Sequence, residues 1–275
     1  MKLKKLGSIL LSLALLFSLT GCENSSSNDK STVAKQENTK PLSSEEFKQM
    51  YSDPNKFKGR TVDFYAKIFI APEKDDKGTY FQCYANNDDS LNTFVGILDP
   101  KLDVKEGEVV RIIGNVKEKM KGTNAFGGEV SAPLIQANKV EKTDYATAFS
   151  PAIKTIELNK EINQHGYVIK LNKVEIAKEE TRAYITVTNN SKGKINFYSF
   201  NSKAVQGSKQ LDIKDNYEAK YPEIKSEILS GVKEEGIVTF QPIDVNGDKL
   251  RIIFEGSSDN YSLQFNPFEY EINIK

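Results

Sequence analysis

"TVDFYAKIFI", residues 61–70, alternates one residue in and one residue out along its whole length. Val62, Phe64, Ala66, Ile68 and Ile70 fall on one face, and Asp63, Tyr65, Lys67 and Phe69 on the other. Successive strand side chains point to opposite faces, so this period of two predicts a half-buried β-strand rather than a helix. The same signature returns at 79–85, 93–98, 108–116 and 134–140, separated by "PEKDDKG", "KGTNAFGG" and other breaker-rich runs. Five short strands within about eighty residues suggest a small barrel.

Just upstream, "SSEEFKQMYSDPNKFKG" (43–59) carries a helix-start signal. Glu46 follows Ser43 at capping-box spacing, Phe47 with Met50 or Tyr51 forms one apolar side, and Asp53-Pro54 ends the run. The second half of the chain is again strand-like. "GYVIKLNKVEIA", "RAYITVTNNSKGKINFYSF", "SKAVQGSKQLDI", "GIVTFQPIDVNGDKLRIIF" and "FEYEINIK" follow one another from residue 166 to 275. In the last, Phe268, Tyr270, Ile272 and Ile274 oppose Glu269, Glu271, Asn273 and Lys275. Short strands joined by Asn-Asn-Ser, Gln-Gly-Ser and Asn-Gly turns describe an antiparallel sandwich. "TDYATAFSPA" (143–152) is poor in large aliphatics and marks the boundary between the two parts.

The first 40 residues have a different logic. Lys2, Lys4 and Lys5 precede an apolar core from Ile9 to Leu19, shorter than the roughly 20 residues a membrane-spanning helix needs. It ends in Leu19-Thr20-Gly21-Cys22, which resembles a bacterial lipobox: a small residue for the peptidase and a thiol to accept the lipid. The expected division is therefore a lipoprotein signal peptide at 1–21 and lipidated Cys22 opening a tether at 22–41. Residues 42–145 then form the barrel and 150–275 the sandwich. Residues 23–40 lack aromatics and cannot bury enough surface to fold, so they would span roughly 23 Å as a flexible chain.

Composition excludes several chemistries. Residues 42–149 carry 15 Lys+Arg against 17 Asp+Glu, and residues 150–275 carry 17 against 18. Neither half has the basic excess that phosphate neutralisation requires, so generic nucleic-acid binding is not expected. Once Cys22 is lipidated only Cys83 remains, which rules out an internal disulfide and reads as a small buried hydrophobe. The single histidine, His165, sits in a turn-like "NQHGY". No nucleophile-elbow, zinc-protease or phosphate-loop spacing occurs. "DVNGDK" (244–249) lacks the spacing and closing Glu of a calcium loop, and its Asn246-Gly247 pair reads as a hairpin turn. No catalytic residue, metal or cofactor is expected.

Two resemblances sharpen the picture. "FKGRTVDFYAKI" (57–68) followed by "DVKEGEVVRIIGNV" (103–116) resembles the OB-fold domains of bacterial surface proteins. That likeness implies a helix between the third and fourth strands, where residues 99–107 leave room only for a turn. "VTNNSKGKINF" (187–197), "VQGSKQ" (205–210) and "LSGVKEEGIVTFQPID" (229–244) resemble a Gram-positive surface-lipoprotein family of unknown function. That family implies an immunoglobulin-like (telokin-like) sandwich like that of a mycobacterial secreted antigen. The pattern falls on Asn189, Asn190, Ser191, Gly236, Val238 and Phe240 as turn, strand-start and core positions, and implies no catalytic site.

The expected fold class is thus all-β: one short N-terminal helix, a small OB-like barrel, then an antiparallel immunoglobulin-like β-sandwich. OB-folds bind with the face of their second and third strands. Tyr65, Phe69, Tyr80 and Tyr84 share the outward phase of the first two strands and form the candidate ligand-binding face, a row able to stack sugars or bases. The alternative is that they line a core or pack on the second domain. The expected protein is a non-catalytic binding or interaction module, held by its lipid on the outer face of the cytoplasmic membrane. Its candidate partners are a cell-wall glycan or a protein. A wall-modifying hydrolase with carboxylates assembled by folding, and a plain spacer, are the alternatives.

Overall fold

The structure, a computed structural model, describes residues 40–123 and 128–275. The expected signal peptide, the expected lipidation site Cys22 and nearly all of the expected tether lie outside the described residues. Among the described residues no helix is long and apolar enough to cross a membrane.

Helix α1 (Ser44–Ser52) begins as its sequence predicts. The Ser43 hydroxyl accepts from the Glu46 amide at 3.3 Å, and Glu46 accepts from the Ser43 amide at 2.9 Å. A 3-10 turn (Pro54–Phe57) leads into β1 (Thr61–Ile68), followed by β2 (Glu73–Lys74), β3 (Thr79–Ala85) and β4 (Asn92–Ile97). The long β5 (Val109–Thr123) and β6 (Glu129–Thr143) complete the domain. The sheet order is β1-β5-β6-β4-β3-β2, and β3 also pairs back onto β1. Ala66, Lys67 and Ile68 oppose Ala85, Tyr84 and Cys83, which closes the barrel. All ladders are antiparallel except β4–β6. The barrel closes without a helix at 99–107, which forms turns. Phe47 and Met50 of α1 join the interior cluster with Val62, Ile68, Ile112 and Ile135. At a register shift in β5, Gly114 lets the β6 backbone approach so closely that a Cβ there would overlap the Gln136 carbonyl.

The apolar face of β1 is shorter than the alternation suggests. It ends at Ile68, and Ile70 is 43% exposed. Leu98, placed in a strand by its sequence, lies beyond β4 and is exposed. Conversely, β5 and β6 run on past Val116 as a two-stranded ladder that is buried only around Ala132–Leu134 and elsewhere exposed or half-exposed. That extension covers only a satellite cluster of Phe94, Ala132, Leu134 and Met120, so it has little apolar periodicity to betray it.

A second helical turn, α2 (Tyr145–Phe149), capped by Asp144, occupies the boundary segment. Beyond it, β7 (Ala152–Gln164), β8 (Tyr167–Ala177) and β9 (Thr181–Asn189) form a meander. The short β10 (Ile195–Phe197), β11 (Lys203–Gln206), β12 (Lys209–Leu211) and β13 (Glu227–Ile228) come next. Then follow β14 (Lys233–Phe240), β15 (Lys249–Phe254), β16 (Gly256–Ser258) and β17 (Phe268–Asn273). One sheet has the order β14-β9-β8-β7; β12-β11-β15-β17 and the small β13-β10-β16 complete the sandwich. Its interior joins Ile169, Leu171 and Ile185 of the first sheet to Leu250, Ile252 and Ile272 of the second. Tyr270 crosses between the sheets, its hydroxyl donating to the Ile169 carbonyl at 2.6 Å. The Phe268–Ile274 alternation is realised with every apolar member buried.

The long edge strand β7 has only a weak apolar stripe: its residues are exposed or half-exposed throughout, and Ile156, Leu158 and Ile162 pack partly against the sandwich core. It meets the edge of β17 through side chains instead of a ladder. Lys154 donates to the Ile274 carbonyl and Lys160 to the Glu271 carbonyl, the latter at 2.7 Å. The 244–248 segment does turn, with Gly247 N–H donating to the Asp244 carbonyl at 3.0 Å. It is not a hairpin: β14 pairs with β9 while β15 pairs with β11 and β17, so the turn carries the chain between sheets.

Candidate functional site

The loop following β12 reaches out of the sandwich to the barrel. Glu218 forms an ion pair with Lys67 of β1, and Lys220, with φ at 48°, places its ammonium against Gly107 just before β5. Between these contacts lies an open cleft of about 880 Å³. Its barrel wall holds Phe69 and Tyr84, their rings parallel within 11° and 3.9 Å apart between centroids. This pairing follows from register: Tyr84 stands opposite Lys67, so Phe69, two residues on, sits on the diagonal. Asn87, Asp88, Asp89 and Glu106 supply an amide and carboxylates around the rings. Hydrogen bonds from the Ser90 hydroxyl and amide hold Asp88 below the usual carboxylate range. The hydrogen bond and charge of Lys67 do the same for Glu218.

Of the four aromatics expected in one row, the structure brings two together in the cleft. All four are half-exposed and none belongs to the barrel core. Tyr80 is four residues from Tyr84, about 13 Å along the strand. It lies over Gly96 and directs its hydroxyl toward Asp75 at 3.5 Å. Tyr65 pairs across β1–β5 with Arg111, whose guanidinium makes two bonds to Asp63 at 2.8 and 2.6 Å. The four share one phase, but spacing along the strands separates the rings. Cys83 is fully buried, and burial pushes its thiol far above the normal range. His165 occupies the β7–β8 turn with φ at 56°.

A second polar centre, adjoining the boundary helix, escaped the sequence reading altogether. Arg182 is 1% exposed in β9. Its guanidinium donates to Glu180 at 2.7 Å, to Glu175 at 2.9 Å and to the Ser150 carbonyl at 2.8 Å. Tyr221 from the bridging loop donates to Glu180 at 2.5 Å, and its ring meets Tyr145 of α2 edge-on. Burial by itself would raise both glutamates. Hydrogen bonds from Lys173, Tyr184 and Arg182 to Glu175, and from Tyr221, Asn216, Arg182 and Ser150 to Glu180, outweigh it and hold both below the ordinary range. Paired this way, the two carboxylates are ionised at neutral pH and have no proton to deliver. An arginine inside the apolar run "TRAYITV" (181–187), preceded by Glu175 and Glu180, is the signal the sequence offers.

Among the described residues no group of three His, Cys, Asp or Glu is arranged to hold a metal. Asn189, one of the positions carried by the family resemblance, is fully buried. It donates to the Gly193 and Ile228 carbonyls and accepts from Ser191, which makes it a turn anchor. Gly236 lies within β14, where a Cβ would press on Pro222 and Ile224 at 2.9–3.0 Å, and Val238 and Phe240 are core.

Fold and cleft together define an all-β protein in which a closed barrel and an antiparallel sandwich share one aromatic-walled groove. No family model and no curated protein matches the chain. Among solved structures it is similar to one described as a functionally unknown protein from Listeria monocytogenes EGD-e. That match has 11% identity and a TM-score of 0.35, and covers 46% of this chain and 88% of the other.

Proposed function

We propose that this protein is a lipid-anchored, non-catalytic binding module on the outer face of a Gram-positive cytoplasmic membrane, and that its cleft holds a cell-wall glycan. The observation that carries the proposal is the stacked Phe69–Tyr84 pair in a groove ringed by carboxylates and an amide. Sugar rings offer apolar C–H faces to aromatics and hydroxyls to carboxylate and amide acceptors. The carboxylates outnumber the ammonium groups, which disfavours a phosphate-rich ligand.

The test is titration of the purified protein with soluble wall-glycan fragments. Phe69→Ala/Tyr84→Ala should abolish binding, while Tyr65→Ala/Tyr80→Ala should leave it within about twofold, since stacking contributes roughly 1–3 kcal/mol per ring. Binding should also respond weakly to salt. Failure of the parent protein to bind any fragment would leave the spacer as the better description, and release of shortened glycan would favour the hydrolase.

A further inference from the structure

A cavity of about 760 Å³ lies in the sandwich domain beneath residues 213–224, away from the stacked aromatic pair. Its floor is apolar, formed by Phe197, Ile224 and Val238, all buried. Two rings stand at its rim: Phe200 is 73% exposed and Tyr217 is 83% exposed, among the most exposed large apolar side chains of the described residues. Its charged heads are unbalanced. Asp215 and Glu223 line it together with Lys220, whose ammonium is turned away toward Gly107 of the barrel, and both carboxylate charges bear on the Tyr217 hydroxyl, raising it above its usual range.

The neighbouring lysines are all committed elsewhere. Lys214 donates to the Glu179 carbonyl, Lys225 pairs with Glu234, and the Lys220 ammonium lies against Gly107 of the barrel. Among the described residues neither Asp215 nor Glu223 has an ion-pair partner. The result is a ligand-sized recess with an apolar floor, aromatic faces at its mouth and two carboxylates without a cationic partner, Asp215 accepting a hydrogen bond from the Tyr217 hydroxyl at 3.2 Å. Aromatic faces attract cations through their quadrupole, and carboxylates attract them through charge, so both features select the same chemistry.

We infer that this recess binds an organic cation: an ammonium group on an apolar stem, carried either by a free alkylamine or by the lysine side chain of a peptide. The ammonium sits between Asp215 and Glu223 with its stem against the Phe200 and Tyr217 rings. The recess shares Lys220 and its loop with the glycan cleft but none of the side chains assigned to either ligand, so either assignment can fail without the other.

The experiment is calorimetric titration of the full chain with cadaverine and with acetyl-Ala-Lys-Ala-amide. The same tripeptide acetylated on its lysine is the neutral control. Saturable binding of at least one amine, with none of the control, is the expected result, and whichever probe binds more tightly identifies the source. Asp215→Asn/Glu223→Gln should weaken binding by about threefold or more, and Tyr217→Ala by about twofold to fivefold. All three side chains are exposed, so the variants should keep the parent's circular dichroism and melting temperature. Absence of binding by both amines, equal binding of the acetylated peptide, or unchanged affinity in the variants would overturn the inference.

Discussion

Arg182 and Glu180, two residues apart at the start of β9, meet at 2.7 Å with their side chains 1% and 2% exposed. So sealed a charge pair gains little over an apolar pair, because desolvation offsets most of its Coulomb attraction. What it supplies here is connection. Through the same guanidinium, β9 holds the Ser150 carbonyl beside α2 and, through Glu180, the Tyr221 hydroxyl of the loop that reaches the barrel.

Arg182→Met should therefore be far more harmful than a surface charge deletion. It strands Glu180 without its cation, a change that costs about 3–5 kcal/mol when one member of a buried pair is removed. Denaturant titration reads the loss directly. Combining it with Glu180→Gln should restore part of the stability; a loss under about 1 kcal/mol in the single variant would contradict the described burial.

The network also sets an acid limit. Glu175 and Glu180 have folded-state values below their unfolded ones, so their contribution is present above the ordinary carboxylate range and is lost as pH falls through the depressed values. The denaturation midpoint should hold steady near neutrality and decline below about pH 4. In the Arg182→Met/Glu180→Gln protein the decline should be shallower. Equal slopes would show that other carboxylates govern acid unfolding.

Within the barrel, the outward and inward phases of the same strands should behave differently. Tyr84→Ala removes a half-exposed stacked ring and should cost about 1–2 kcal/mol. Ile68→Ala, at a fully buried site one residue from Tyr84's cross-strand partner, should cost about 2–5 kcal/mol. Thermal unfolding of the two variants side by side is sufficient, and a reversed order would place Tyr84 in the core.

The barrel and sandwich bury separate clusters with no residue in common. Limited proteolysis should cut between residues 143 and 152 and yield two fragments that each unfold cooperatively. Because Arg182 grips the Ser150 carbonyl and hydroxyl, cleavage there should be faster in Arg182→Met. An unchanged rate would mean that the linker is held by something else.

Membrane attachment is tested at Cys22. The parent protein should partition with membranes, and Cys22→Ser should accumulate as uncleaved precursor or appear in the medium. Normal processing and membrane retention of the serine variant would exclude lipidation at this position.

Much of the architecture was readable in local patterns. The alternation at 61–68 and 268–274, the Ser43–Glu46 capping box and the turn at His165 depend on residues within a few positions of one another. Period-two burial and helix capping are short-range constraints, so one sequence window is enough to recognise them. Strands with a weak or interrupted apolar stripe, such as β7 with its half-buried Ile156, Leu158 and Ile162 and the outer halves of β5 and β6, are hard to recognise for the same reason. Hydrogen bonding and side-chain stitching place them, and neither leaves a pattern of hydrophobicity.

The chain by itself determined the all-β class, the order of barrel before sandwich, the burial of Cys83 and the outward phase of Tyr65, Phe69, Tyr80 and Tyr84. Tertiary structure alone decided that β3 returns to β1 and closes the barrel, and that Phe69 meets Tyr84 while Tyr80 lies elsewhere. It also decided that Arg182 is paired by groups drawn from Ser150, Glu175, Glu180 and Tyr221. The farthest of those partners is 39 residues from Arg182 in the chain. No local rule links them; burying a guanidinium away from water selects whichever acceptors the packed fold brings within reach.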